Sequence, residues 1–316
     1  MPDYQYLLRL WSFPPVATFA IELSAVLYLA GWWHLYRAGV PFVPPWRAVA
    51  FVSGLGILWI ALASPIDALN GLVLSAHMLQ HMLLMMAAPP LILLGAPVVP
   101  MTRGLSSLGA RRLARILNWL VAEPIGHVLT NPIAGALLMG VVMFAWHTPA
   151  LYELALRSEF WHEVEHASFL LASLIFWWPV VLPWPGRAQW SRWAIVPYLL
   201  LADLQNTVLS AILAFSDRVL YPSYAGAPRL FGLSPMEDQV AAGAFMWVAG
   251  SLAFIVPAIA LTIQCLSPTT LRHSPTPRTA ARHAPPLKTP RTLRLLRKIP
   301  LRPQRPLRWR ALMSAL

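Results

Sequence analysis

The sequence predicts an all-α protein: a polytopic membrane bundle of seven transmembrane helices, with the N-terminus outside and the C-terminus in the cytoplasm. Three observations predict it. Of 316 residues, 58% are hydrophobic and only 11% charged, a balance that suits a multi-pass membrane protein rather than a soluble domain. Apolar runs of spanning length recur along the chain, separated by short segments rich in Pro, Arg and Trp. Finally, the basic residues collect on alternate connections.

The elements follow in order. The first span covers about 16–36. The start before it holds Asp3 and a single basic residue, Arg9, and lacks the basic opening of a secretory signal, so the span is expected to be retained. A Pro-containing loop leads to a second span at about 48–63, closed by Ser64-Pro65, with Asp67 in the next loop. The third span, about 71–94, carries Pro89-Pro90, which should kink or break it near its far end. Residues 95–132 form a longer connection, in which 105–121 reads as an amphipathic interfacial helix. The fourth span is about 133–146, followed by a short acidic loop with Glu153, Arg157 and Glu159. The fifth covers about 160–182, the sixth 193–215 and the seventh 236–266. Glu22, Asp203 and Asn206, lying within spans, suggest an interhelical polar network. Residues 1–266 thus form the membrane domain. Residues 267–316 mix Pro, Arg and Thr and cannot bury a core, so a disordered basic tail is expected, solvated or lying against anionic lipid.

Charge sets the orientation. The net charge is +12, from 24 Lys and Arg against 12 Asp and Glu. Up to residue 265 the two signs balance; the excess lies wholly in the tail, so nothing basic in the body points to nucleic acid. Only Arg9, Arg157, Arg218 and Arg229 fall on the N-terminal side of the bundle. The positive-inside rule therefore places that side outside.

Five of the nine histidines then converge on one layer at the outer face. His77 and His81 open the third span, His147 closes the fourth, and His162 and His166 open the fifth. Each i,i+4 pair presents both rings on one helical face, and ionisable groups inside a span need partners. A metal site is the expectation. Met78, Met82 and Met85 flank the first pair and add thioether ligands, a combination that favours copper. Asp238, Glu163 and Glu165 are candidates for orienting the ligand imidazoles. Asp238 could equally cap the seventh helix, where Ser234-Pro235-Met236-Glu237 forms an N-terminal signature. The lone Cys265 excludes a disulfide framework and a cysteine-based metal site.

Rival readings exist. His162-Glu163-Val164-Glu165-His166 matches H-E-x-x-H, the zinc protease signature in which the Glu activates water. A haem held between helices needs histidines on facing spans, whereas pairs on one face suit a small ion better. A structural assembly partner without metal or catalysis is the third alternative.

Three blocks also resemble the multi-pass CtaG-type cytochrome c oxidase assembly factors. The first is His77-Met78-Leu79-Gln80-His81-Met82 with Ala88-Pro89-Pro90 and Leu94-Gly95-Ala96-Pro97. The second is Trp146-His147-Thr148-Pro149 with Leu151-Tyr152, His162, Glu165-His166 and Phe176-Trp177-Trp178-Pro179. The third is Leu220-Tyr221, Tyr224, Asp238-Gln239, Gly243 and Met246-Trp247. The resemblance implies a seven-span protein of the bacterial inner membrane that helps assemble haem-copper oxidases and is not an enzyme. The partners it implies are oxidase subunits or a copper chaperone, with copper handled at the outer face.

Overall fold

A computed structural model describes residues 10–40, 43–105, 109, 131–183, 186 and 188–267. The expected interfacial helix at 105–121 and the basic tail fall almost wholly outside these residues. The chain divides into two units, Met1–Thr262 and Ile263–Leu316, and all packing described below lies in the first.

Among the described residues every regular element is helical. The longer helices are α1 (Pro15–Arg37), α2 (Pro45–Ala63), α4 (Leu74–Met82), α5 (Ala88–Leu94), α7 (Pro132–Trp146), α9 (Glu159–Val181), α10 (Arg192–Ala214) and α12 (Pro235–Leu266). Shorter ones are α3 (Pro65–Leu69), α6 (Val98–Gly104), α8 (Pro149–Arg157) and α11 (Pro222–Ala225). Among the described residues six stretches are long and apolar enough to cross a membrane, and α7 with α8, bent by 72°, brings the number to seven if the pair is one span. Several of these helices start on proline, which has the φ of a first helical turn and lacks an N–H that would be unpaired there anyway.

Two expectations change. Residues 149–157, expected as a loop, form α8: Pro149 starts it, and Arg157 pairs with Glu153 one turn earlier at 3.0 Å. Its apolar side, with Tyr152 and Ala155, is buried. Helix α7 alone rises only about 22 Å, short of a bilayer core, and α8 continues from it at an angle of 72°.

The third span is also not broken at Pro89-Pro90. It runs from Leu74 to Leu94 as one stretch, and α4 passes into α5 through a π-helical turn at Leu83–Ala87. Pro89 has no N–H to donate to the carbonyl four residues back. That carbonyl, on Met85, instead accepts from Trp177 Nε1 of α9 at 2.9 Å. The prolines thereby fasten the third span to the fifth.

The connection after α5 packs closely on the first span. Tyr28 stacks on Phe51 at 3.9 Å between ring centroids and donates to the Gly95 carbonyl at 2.8 Å. A Cβ at Gly31 would collide with the Pro100 carbonyl, and one at Gly104 with the Leu27 carbonyl. Gly31→Val is therefore expected to destabilise the protein by about 3 kcal/mol, read as a lower unfolding temperature in detergent; an unchanged temperature would mean that α6 does not dock here.

Helices α10 and α12 meet through small residues. Asn206 lies against Gly250 and donates to the Met246 carbonyl at 3.2 Å. The expected three-residue polar network is not formed: Glu22 is exposed, and Asn206 bonds to backbone.

Candidate metal centre

The ends of α2, α7 and α10 and the starts of α4, α9 and α12 meet at one end of the bundle. There the structure brings together His77, His81, His147, His162 and His166, with Glu165 among them. His77, His81, His147, His166 and Glu165 are all buried, and Glu165 is wholly inaccessible. His77 Nε2 and His81 Nε2 approach to 2.9 Å. Glu165 Oε2 lies 3.7 Å from His77 Nε2, and Oε1 lies 3.6 Å from His81 Nε2. The His162 and His166 rings sit 4.0 Å apart, with His162 5.5 Å from His77 and His166 5.7 Å from His81, centroid to centroid. The His147 ring is 6.1 Å from that of His81.

Around this cluster, hydrogen bonds fix which nitrogens are free. His147 Nδ1 donates to the Met143 carbonyl at 2.7 Å, leaving Nε2 with a buried, unpaired lone pair. Tyr224 donates its hydroxyl hydrogen to the Asn70 carbonyl at 2.6 Å, so its oxygen can accept from His77 Nδ1 at 3.3 Å. That assignment makes His77 Nε2 the lone-pair nitrogen. Tyr221 donates to the His147 carbonyl at 3.0 Å and stacks on Tyr152 at 3.9 Å. Burial pushes the Tyr221 and Tyr224 phenols well above their ordinary range, so both remain hydrogen-bond donors at neutral pH.

The residues fit a metal by what they leave unpaired. His81 Nδ1, His147 Nε2, His166 Nε2 and both Glu165 oxygens are buried without a hydrogen-bond partner. Buried polar atoms are ordinarily paired, and a buried carboxylate is costly unless an opposite charge meets it. Among the described residues three triads have ligand atoms within 4.8 Å of one another: His77, His162 and Glu165; His81, Glu165 and His166; and Asp67, His162 and His166.

Met78, Met82 and Met85 are buried in the apolar core, packed with residues such as Met143 and Trp146. The atoms of the three triads are imidazole nitrogens and carboxylate oxygens. Glu163, the water-activating position of the H-E-x-x-H pattern, is exposed, and Glu165 takes the inward position. Helical geometry explains this: 162, 165 and 166 share a face, while 163 is turned about 100° from His162.

Asp238 orients no imidazole. Its Oδ2 accepts from Leu74 N at 2.6 Å, and its Oδ1 from Ser75 N at 3.2 Å and Ser75 Oγ at 2.6 Å. It therefore caps α4, the neighbouring span that carries His77. Its own helix is capped by Ser234 and Glu237, which bond reciprocally: Ser234 N donates to Glu237 Oε2 at 2.7 Å, and Glu237 N to Ser234 Oγ at 3.2 Å. Gln239 clamps the preceding loop, accepting from Leu220 N at 2.7 Å and donating to the Leu213 and Arg218 carbonyls.

Asp67, Asn70 and Gln80 also belong to this site. Gln80 donates to Asp67 Oδ1 at 2.7 Å and to the Ala61 carbonyl at 2.9 Å. Asn70 Nδ2 lies 3.3 Å from His162 Nε2. Gln80, a fully buried amide in an apolar run three residues after His77, was the one signal in the sequence that could have found this group.

The fold and the site define a multi-pass helical membrane protein with a histidine- and carboxylate-lined centre at one end of its bundle. The family of cytochrome c oxidase caa3 assembly factors (Caa3_CtaG) matches residues 26–267, and the chain belongs to that family. It is a multi-pass protein of a bacterial membrane. Similar curated proteins come from Mycobacterium leprae, 27% identical, and from Mycobacterium bovis and Mycobacterium tuberculosis, each 26% identical, all three described only as uncharacterized. Each match covers 83% of this chain and 40% of the relative, so the chain spans less than half the length of these proteins. No solved structure matches it.

Proposed function

We propose that the protein binds copper through His77, His81, His147, His162, His166 and Glu165, and supports metallation of cytochrome c oxidase in a non-enzymatic role. The observation that carries this reading is the group of buried nitrogens and carboxylate oxygens left without partners at one point. Imidazole with carboxylate suits a borderline divalent ion such as Cu²⁺. Met78, Met82 and Met85, buried in the core beside the first histidine pair, are the thioether candidates. The charge asymmetry of the connections supports a centre at the extracytoplasmic face, with the C-terminus cytoplasmic. There it would meet oxidase subunits or a copper chaperone.

The protease reading needs Glu163 at the metal, and Glu163 faces away. One experiment separates the two: copper occupancy of the oxidase in a deletion strain complemented with variants of this protein. Wild type and Glu163→Gln are expected to restore occupancy, and His77→Ala/His81→Ala to leave it several-fold lower. Equal occupancy in all three strains would overturn the assembly role of the centre. Loss with Glu163→Gln would revive the protease.

A further inference from the structure

We propose that the centre is dinuclear, with Glu165 bridging two metal ions. The proposal rests on the metal-binding reading above and adds the number of ions and their division of ligands. First, there are too many donors for one ion. Five imidazoles, Glu165 and Asp67 converge, whereas a small ion held by nitrogen and oxygen needs four to six ligands.

Second, the donors sort into two rungs. Within each helix the rings are closest, His77 to His81 at 4.3 Å and His162 to His166 at 4.0 Å, but across the gap between α4 and α9 His77 faces His162 at 5.5 Å and His81 faces His166 at 5.7 Å. Each rung spans α4 and α9, and both helices advance one turn between them. Rungs four residues apart are separated by about 6 Å along a helix, and the converging Nε2 atoms close that gap further.

Third, Glu165 lies between the rungs and addresses both. Oε2 is the oxygen nearest His77, and Oε1 the oxygen nearest His81. Neither oxygen has a hydrogen-bond partner. Two of the three metal-competent triads share this carboxylate and divide the histidines in the same way. One ion is thus held by His77, His162 and Oε2, and the other by His81, His166 and Oε1. The free Nε2 of His147, beside His81, completes the second. Two divalent ions bring four positive charges into a buried pocket, and the bridging carboxylate offsets part of that charge where the ions repel each other.

The test uses the purified full chain in detergent, loaded with Cu²⁺ and freed of excess, with bound copper counted per chain. Wild type is expected to hold two ions, with an X-ray absorption signature of a neighbouring copper at roughly 3.5–4 Å. His77→Ala/His162→Ala and His81→Ala/His166→Ala should each hold one ion and lose that signature. Glu165→Gln, of the same shape, should hold at most one. Unfolding temperatures of the metal-free variants, compared with wild type, identify any that fail to fold, and Glu165→Gln then carries the test. One ion in wild type, gripped by His77 and His81 across their 2.9 Å approach, would overturn the bridge and leave the copper reading standing. Two ions retained by Glu165→Gln would also overturn it. No copper in wild type would overturn both.

Discussion

Replacing His77 and His81 together with alanine is expected to abolish the metal-dependent rise in unfolding temperature that the wild-type protein shows. Both rings are buried, and their Nε2 atoms point at each other and at Glu165. A ligand that binds only the folded state stabilises it by about 2.7 kcal/mol at a concentration 100-fold above its Kd. The double variant removes one imidazole from each side of the carboxylate, so affinity should fall by orders of magnitude and the increment should vanish. Removing two buried rings also leaves a cavity, which destabilises the metal-free protein by a separate mechanism. The difference between metal-loaded and metal-free unfolding temperatures cancels that cost. A variant that keeps the full wild-type increment would show that the ion sits elsewhere.

Much of this centre was readable from periodicity and charge alone. The i,i+4 spacing put each histidine pair on one face, and the count of basic residues put both pairs at one end of the bundle. That Glu165 rather than Glu163 faces the histidines was also readable, because 162, 165 and 166 lie on one stripe. The H-E-x-x-H pattern singles out Glu163, which lies off that stripe and is exposed.

What could not be read depends on tertiary contact. Asp67 looked like a loop residue. It reaches the site because Ser64, accepting from Ile66 N at 3.3 Å, starts the short α3 that returns the chain toward α4. Tyr224, which fixes the His77 tautomer, comes from the connection before the seventh span, and no local spacing predicts that it lands on His77. The prolines of the third span showed where a backbone carbonyl would lose its donor. They could not show that Trp177 from another helix would supply one.

Asp238→Ala is expected to lower stability by about 3 kcal/mol and to weaken metal binding, although Asp238 touches no histidine. Helix α4 begins at Leu74 behind Val73, which has no side chain able to cap it. The first N–H groups of a helix lack intrahelical partners and carry the positive end of its dipole. Asp238, one turn into the seventh span, supplies the missing acceptors and the opposing charge from across the bundle. Alanine would leave two backbone donors and a hydroxyl unsatisfied in a buried setting. The first turn of α4 would then fray, and His77 stands three residues from its start. Asparagine keeps one acceptor oxygen without the charge, so Asp238→Asn should recover part of the stability and part of the affinity. Thermal unfolding of the metal-free protein and a copper titration check the two effects together. A loss of stability with affinity unchanged would separate the cap from the centre. An Asp238→Ala protein within about 0.5 kcal/mol of wild type would show that α4 needs no cap from its neighbour.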